Sequence, residues 1–113
     1  MESATGAAAA RARSRRAGAR ERLDWLVGLC GLPLTSERLL AELIGLGAAA
    51  DAEPALSWWS TRALAERLAL DEQTVAEELA ATGALAAWGL VKVDRRQGAR
   101  VAVNLRIARF LIG

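Results

Sequence analysis

A mainly α fold closed by a small β-hairpin (α+β) is predicted here by three observations. Residues 60–82 hold two helix-like segments around a tight turn. The first runs Thr61-Arg62-Ala63-Leu64-Ala65-Glu66-Arg67-Leu68, and the second follows Asp71 from Glu72 to Thr82. Further on, Leu90, Val91 and Val93 begin one strand. Val101, Val103, Leu105 and Ile107 alternate with Arg100, Ala102, Asn104 and Arg106 in another, a period of two over eight residues. Between the strands, Arg95-Arg96-Gln97-Gly98 reads as a hairpin turn in which Gly98 permits positive φ.

The elements follow in order. Residues 1–19 are Ala, Gly, Ser and Arg without an apolar stripe. Too little apolar surface is available to offset ordering entropy, so a disordered basic tail is expected, with the folded domain over 20–113. Leu23, Leu26, Val27 and Cys30 then mark an N-terminal helix ended by Gly31 and Pro33. Thr35 or Ser36 is placed to cap a second helix, whose Leu39, Leu40, Leu43 and Ile44 share a face and which stops near Gly45 and Gly47. Residues 48–55 read as a loop and Leu56–Trp59 as a short strand. Ser60 or Thr61 caps the next helix, where Arg62 and Glu66 are spaced as an i,i+4 pair. Small Ala65 lets it approach the following helix, Leu64, Leu68 and Val75 fill the angle between them, and Asp71 caps the second, with Gly83 at its C′ position. Residues 84–88 make one more helical turn, with Trp25 and Trp88 assigned to the core. Residues 108–112 form a short apolar ending that packs on the body or docks on something else, with Phe110-Leu111-Ile112 either closing the core, the favoured reading, or forming a docking surface.

Composition narrows the chemistry. The 113 residues, 53% apolar, suit one domain and a tail. With no His and a single cysteine, Cys30, neither a Cys/His metal site, a disulfide nor a His-based catalytic group can be assembled. No catalytic, cofactor or metal residue is therefore assigned. Cys30, amid Leu26, Val27 and Leu29, is expected to be a buried, inert thiol, which suits the cytoplasm. No apolar run has membrane-spanning length, and the first 22 residues lack a signal-peptide h-region. Arginine dominates over lysine, Lys92 being the only one, as in proteins from GC-rich genomes.

Charge is unevenly divided within the net +2. Residues 1–22 carry six arginines against Glu2 and Glu21, residues 37–78 carry nine acids against three bases, and residues 92–109 carry six bases against Asp94. The body is thus a dipole with an acidic helical face and a basic hairpin end.

Residues 60–105 resemble winged helix-turn-helix regulators through Leu64-Ala65-Glu66-Arg67-Leu68, Thr74-Val75 and Gly89-Leu90-Val91-Lys92-Val93 with a basic hairpin after them. This implies a three-helix core plus wing, here with an added N-terminal helix. Over residues 23–113, Leu85-Ala86-Ala87-Trp88-Gly89-Leu90-Val91, Leu105-Arg106-Ile107 and Arg109-Phe110-Leu111-Ile112-Gly113 are similar to the winged-helix domain preceding the motor in a group of bacterial AAA-type ATPases, where it implies an accessory recognition role. The chain contains no G-x-x-x-x-G-K-[ST], so it cannot be an ATPase by itself. It is either part of a longer protein or a stand-alone relative.

Two kinds of partner remain open. In a DNA-reading winged helix the second helix enters the major groove, where Gln73 and Thr74 could touch bases. Here Asp71, Glu72, Glu77 and Glu78 would face phosphates with no Arg or Lys on that helix, which opposes binding driven by phosphate neutralisation. Capping and the helix dipole explain Asp71 and Glu72. Glu77 and Glu78 are left as solvated charge or as contacts to a basic protein. Nucleic-acid contacts are assigned instead to Arg95, Arg96 and Arg100 of the wing and to Arg11, Arg13, Arg15 and Arg16 of the tail. Trp58 and Trp59 are neighbours on a strand, so one faces the core and the other is a protein-contact anchor, or lies covered by the 48–55 loop. The expectation is a non-enzymatic recognition or adaptor module, monomer or homodimer, with a protein partner and anionic contacts by wing and tail. The alternative is a DNA-binding transcriptional regulator.

Overall fold

The computed structural model describes residues 2–47, 54, 58–80, 83–94 and 100–112, with side chains from Gly6 onward. Among the described residues six helices and three strands form a small, mainly helical α+β domain: α1 Glu2–Cys30, α2 Leu34–Leu43, β1 Trp59–Ser60, α3 Thr61–Leu68, α4 Glu72–Glu78, α5 Ala84–Ala87, β2 Val91–Asp94, β3 Arg100–Val103 and α6 Leu105–Ile112. The strands make one antiparallel sheet in the order β1-β3-β2. Val91 pairs with Val103 and Val93 with Val101, while Trp59 pairs with Val101 from the other side.

The first helix departs from expectation. Rather than starting near residue 20, α1 runs unbroken from Glu2, and at ~1.5 Å per residue its 29 residues account for most of the molecule's 48 Å long axis. Ala and Arg are strong helix formers, and the segment needs no bulky stripe because small residues hold it close. Ala12 and Ala19 are buried. Arg16 donates from Nη1 to Gly45 O at 2.9 Å and from Nη2 to Leu46 O at 2.6 Å, while Arg20 pairs with Glu37 at 2.5 Å. Gly31 then takes φ +65, the left-handed conformation that ends the helix.

Arginine recurs as the cap of helix C-termini. Arg16 serves the residues just past α2, Arg38 donates to Leu68 O of α3 at 2.8 Å, and Arg22 donates to Leu111 O of α6 at 3.0 Å. Each places a cation and a donor where unpaired carbonyls and the negative end of the helix dipole meet.

At the centre, Leu39, Leu40, Leu43 and Ile44 of the α2 segment meet Leu23 of α1, Leu64 of α3, Val75 of α4, Leu85 of α5 and Val101 and Val103 of β3, all fully buried. The α3–α4 turn is tight: Ala69 adopts φ 53 and Leu70 N returns to Ala65 O at 2.9 Å. Ser60 caps α3 as expected, its Oγ accepting from Ala63 N at 3.0 Å.

Several local expectations are corrected. Asp71 sits at the N-cap of α4, but its side chain makes no capping bond. Pro33 is the N-cap of α2, leaving Ser36 fully buried and donating to Glu78 Oε2 at 2.6 Å. The α4 helix ends at Glu78. Gly83 has φ −71 and opens α5, and glycine is required there because a Cβ would lie 2.2 Å from Glu78 O. The strand foreseen over 100–107 stops at Val103, and residues 105–112 form a helix instead. Asn104 supplies the cap, its Oδ1 accepting from Arg106 N at 3.0 Å. Ala108 and Leu111 of that helix are buried, so the C-terminal segment does pack on the body, alongside α1. Trp25 and Trp88 are exposed rather than in the core, and Cys30 is half-buried rather than sealed. The hairpin loop, residues 95–99, and most of the 48–55 loop lie outside the described residues.

Candidate interaction surfaces

The first surface is the outer side of α4. Asp71, Glu72, Gln73, Ala76 and Glu77 are exposed, Thr74 is half-buried, and Val75 anchors the helix in the core. Gln73 Nε2 donates to Glu77 Oε1 at 3.3 Å one turn away, so the carboxylate holds the amide along the helix rather than leaving it to reach outward. Glu78 turns inward to the Ser36 hydroxyl and ties α4 to α2. The solvent-facing acids of this element are therefore Asp71, Glu72 and Glu77, with no base on the helix. Their potential repels polyanions and attracts cationic groups.

The basic candidates are divided by the fold. Arg11, Arg13 and Arg15 are exposed along α1, whereas Arg16 is half-buried against the α2 terminus. Arg100 opens β3 directly across the ladder from Asp94, Nη2 to Oδ2 being 3.8 Å, which offsets part of its charge. Arg95 and Arg96 lie outside the described residues.

The short strand expected over 56–59 is instead β1 at Trp59–Ser60, so Trp58 lies just before the strand and Trp59 opens it. Trp58 is exposed. Trp59 is half-buried beneath the Arg67 guanidinium, which lies 5.4 Å from its ring centroid. Arg67 also donates from Nε to the buried carboxylate of Glu42 at 2.8 Å, so β1, α3 and α2 are joined through one side chain. Trp59 Nε1 is buried without a hydrogen-bond partner among the described residues.

Another surface is only partly expected from the sequence. Trp25 of α1 and Phe110 of α6 touch, with ring centroids 5.6 Å apart at 54°, yet both face solvent, as does Leu29 one turn beyond Trp25. The signal for half of it lay in the sequence: Trp25 and Leu29 are i,i+4 neighbours that fall off the Leu23/Leu26/Val27/Cys30 stripe. Phe110 is one of the residues the sequence offers as core-closing or docking, but its meeting with Trp25, expected in the core, is visible only in three dimensions.

Among the described residues no group of three or more His, Cys, Asp or Glu could hold a metal ion, and no helix is long and apolar enough to cross a membrane. Comparison with protein-family models, curated proteins and solved structures finds no match.

Proposed function

We propose that this chain is a non-enzymatic winged-helix recognition or adaptor module that binds a protein partner through a cationic surface set against α4. The winged-helix reading is supported by the succession of helix α2, short strand β1, helices α3 and α4 about a tight turn, and the antiparallel β2–β3 pair. The adaptor reading is carried by one observation: the solvent face of α4 presents Asp71, Glu72 and Glu77 with no compensating base, and Glu77 holds Gln73. A helix meant to enter a phosphate-lined groove gains from counterion release only by bringing cations there. Exposed Trp58 and Trp88 add amphipathic anchors of the kind that dominate protein interfaces. The similarity to domains attached to bacterial AAA-type ATPases fits such a role. Anionic contacts fall to Arg11, Arg13, Arg15 and the hairpin end.

The test is a pair of titrations at several salt concentrations, one with a duplex DNA of about 20 base pairs and one with a Lys/Arg-rich peptide. The adaptor reading expects weak, sequence-indifferent DNA binding that disappears in R11Q/R13Q/R15Q and is unchanged by Q73A/T74A. It also expects peptide binding that weakens several-fold in E72Q/E77Q. Deleting residues 1–22 is the poorer test, because it removes Ala19 and the Arg16 and Arg20 contacts that fold α1 onto the body. Tight binding to a defined duplex that falls on Q73A/T74A would establish the transcriptional-regulator alternative.

A further inference from the structure

We propose that the outer edge of β2 pairs with itself: the β2 of a second copy of this chain docks on it antiparallel, with Val93 at the two-fold axis. The proposal uses no residue of α4 and does not depend on the function assigned to that helix.

The order β1-β3-β2 leaves one side of β2 without a neighbouring strand among the described residues. Which groups face that side follows from the register. Val91 stands opposite Val103, so Leu90 stands opposite Asn104, and Asn104 N donates to Leu90 O at 2.8 Å. In an antiparallel ladder, opposed residues that exchange bonds alternate with opposed residues that do not. Leu90, Lys92 and Asp94 therefore turn their N–H and C=O groups toward β3, whereas Val91 and Val93 turn theirs to the open side. Neither valine has another backbone partner among the described residues. Val91 is buried, Lys92 is exposed, and Val93 and Asp94 are half-buried, so access centres on Val93. Unpaired strand groups of this kind form a template for another strand unless the edge is guarded. No proline or bulge interrupts β2, and its one cationic guard is Lys92.

Charge identifies both the occupant and the register. Lys92 is the only lysine of the chain and forms no ion pair among the described residues. Asp94, two positions on, projects from the same side of the strand, where Arg100 Nη2 approaches its Oδ2 at 3.8 Å. Two copies of β2 meeting with Lys92 opposite Lys92 would gain bonds from both valines but set two ammonium groups face to face, which is destabilising. Meeting about Val91 would leave Lys92 opposite Leu90, with its charge unmatched. Meeting about Val93 lets that residue donate to and accept from its counterpart, and it sets each Lys92 opposite the other copy's Asp94. Those two pairs are of the non-hydrogen-bonded kind, whose Cβ atoms come within ~4.5–5.5 Å and whose opposite charges attract. The match occurs twice by symmetry, as an isologous contact requires. A lysine that repels strands in general is thus complementary to one strand in particular, β2 itself. The two copies then share a six-stranded sheet.

The contact is small. Four residues of strand span ~13 Å, far short of a standard interface, so association is weak and sensitive to salt.

Sedimentation and amide NMR of the full chain test this, from about 20 µM to about 2 mM at about 50 mM salt, where surface charge is weakly screened. Circular dichroism confirms that each variant is folded. A reversible monomer–dimer equilibrium is expected, with the Val93 amide shifting as the dimer fills. V93P removes an N–H that the ladder to β3 does not use, and it should leave the protein monomeric. K92Q should weaken the dimer severalfold, because two attractive pairs are lost. A dimer strengthened by K92Q would place Lys92 opposite Lys92 and overturn the register, and a dimer indifferent to both variants would overturn the edge. A monomer throughout the range would overturn the proposal outright, leaving Lys92 as a guard or the edge to a strand of another protein.

Discussion

Replacing Arg16 with Met examines why a segment lacking any apolar stripe is helical. The guanidinium donates two bonds, 2.9 Å to Gly45 O and 2.6 Å to Leu46 O, and these join the middle of α1 to the end of α2. A hydrogen bond involving a charged group contributes about 1.5–3 kcal/mol. Two bonds sharing one half-exposed charge do not sum fully, so the combined contribution is about 2 kcal/mol. Met keeps most of the apolar stem, which isolates the loss of the head group. At roughly 4 °C per kcal/mol for a domain of this size, the midpoint should fall by about 8 °C. Denaturant unfolding at constant slope gives the free energy, and hydrogen exchange at residues 12–19 reports whether this part of α1 has loosened. R11M is the control, since exposed Arg11 should change stability by less than about 0.5 kcal/mol. An R16M protein as stable as the control, or wild-type amides at 12–19 exchanging like those of a free peptide, would refute the reasoning.

The other expectations are local. N104A removes the α6 cap and should cost about 1 kcal/mol in denaturant unfolding. A69G should stabilise by about 0.5–1 kcal/mol, because Ala69 holds φ 53 where glycine is unstrained. G28A, in exposed helix with nothing within 4 Å of the new methyl, should also stabilise by about 0.5–1 kcal/mol. G47A should destabilise by about 1–3 kcal/mol, because its Cβ would lie 1.7 Å from Glu42 Oε2, an atom of the carboxylate that Arg67 holds. Thermal melts of the two alanine variants should therefore move in opposite directions.

How far the fold is legible depends on which signal each element gives. The α3–α4 pair and the β2–β3 ladder are readable because Leu64, Leu68 and Val75 at helical spacing and Val91, Val93, Val101 and Val103 at period two are all confined to the inner side. The C-terminal helix is not readable by alternation, since Val101 to Ile107 satisfies a strand pattern by coincidence. The competing signal is Asn104 followed by Ile107, Ala108 and Leu111 at helical spacing. The N-terminal half of α1 is obscured for a different reason. Its attachment is made by alanines against the body and by arginines bound to carbonyls distant in sequence, and no local pattern reports such pairing. The same holds for the candidate sites. The acidity of α4 is legible, whereas the partnership of Glu78 with Ser36, 42 positions away, removes one of its carboxylates from the surface only in three dimensions. The Trp25–Phe110 face likewise forms only when the two ends of the chain meet.

Charge reversal on the solvent side of α4 is the most direct measurement, with E72K/E77K compared with wild type on duplex DNA across a salt series. If carboxylates there are what turns the helix away from nucleic acid, the variant should bind at least tenfold more tightly at 50 mM salt. Its log–log salt slope should steepen by up to about 2, as two new phosphate contacts require. A wild-type protein that already binds one duplex selectively at physiological salt, and loses that binding on E72K/E77K, would contradict the account.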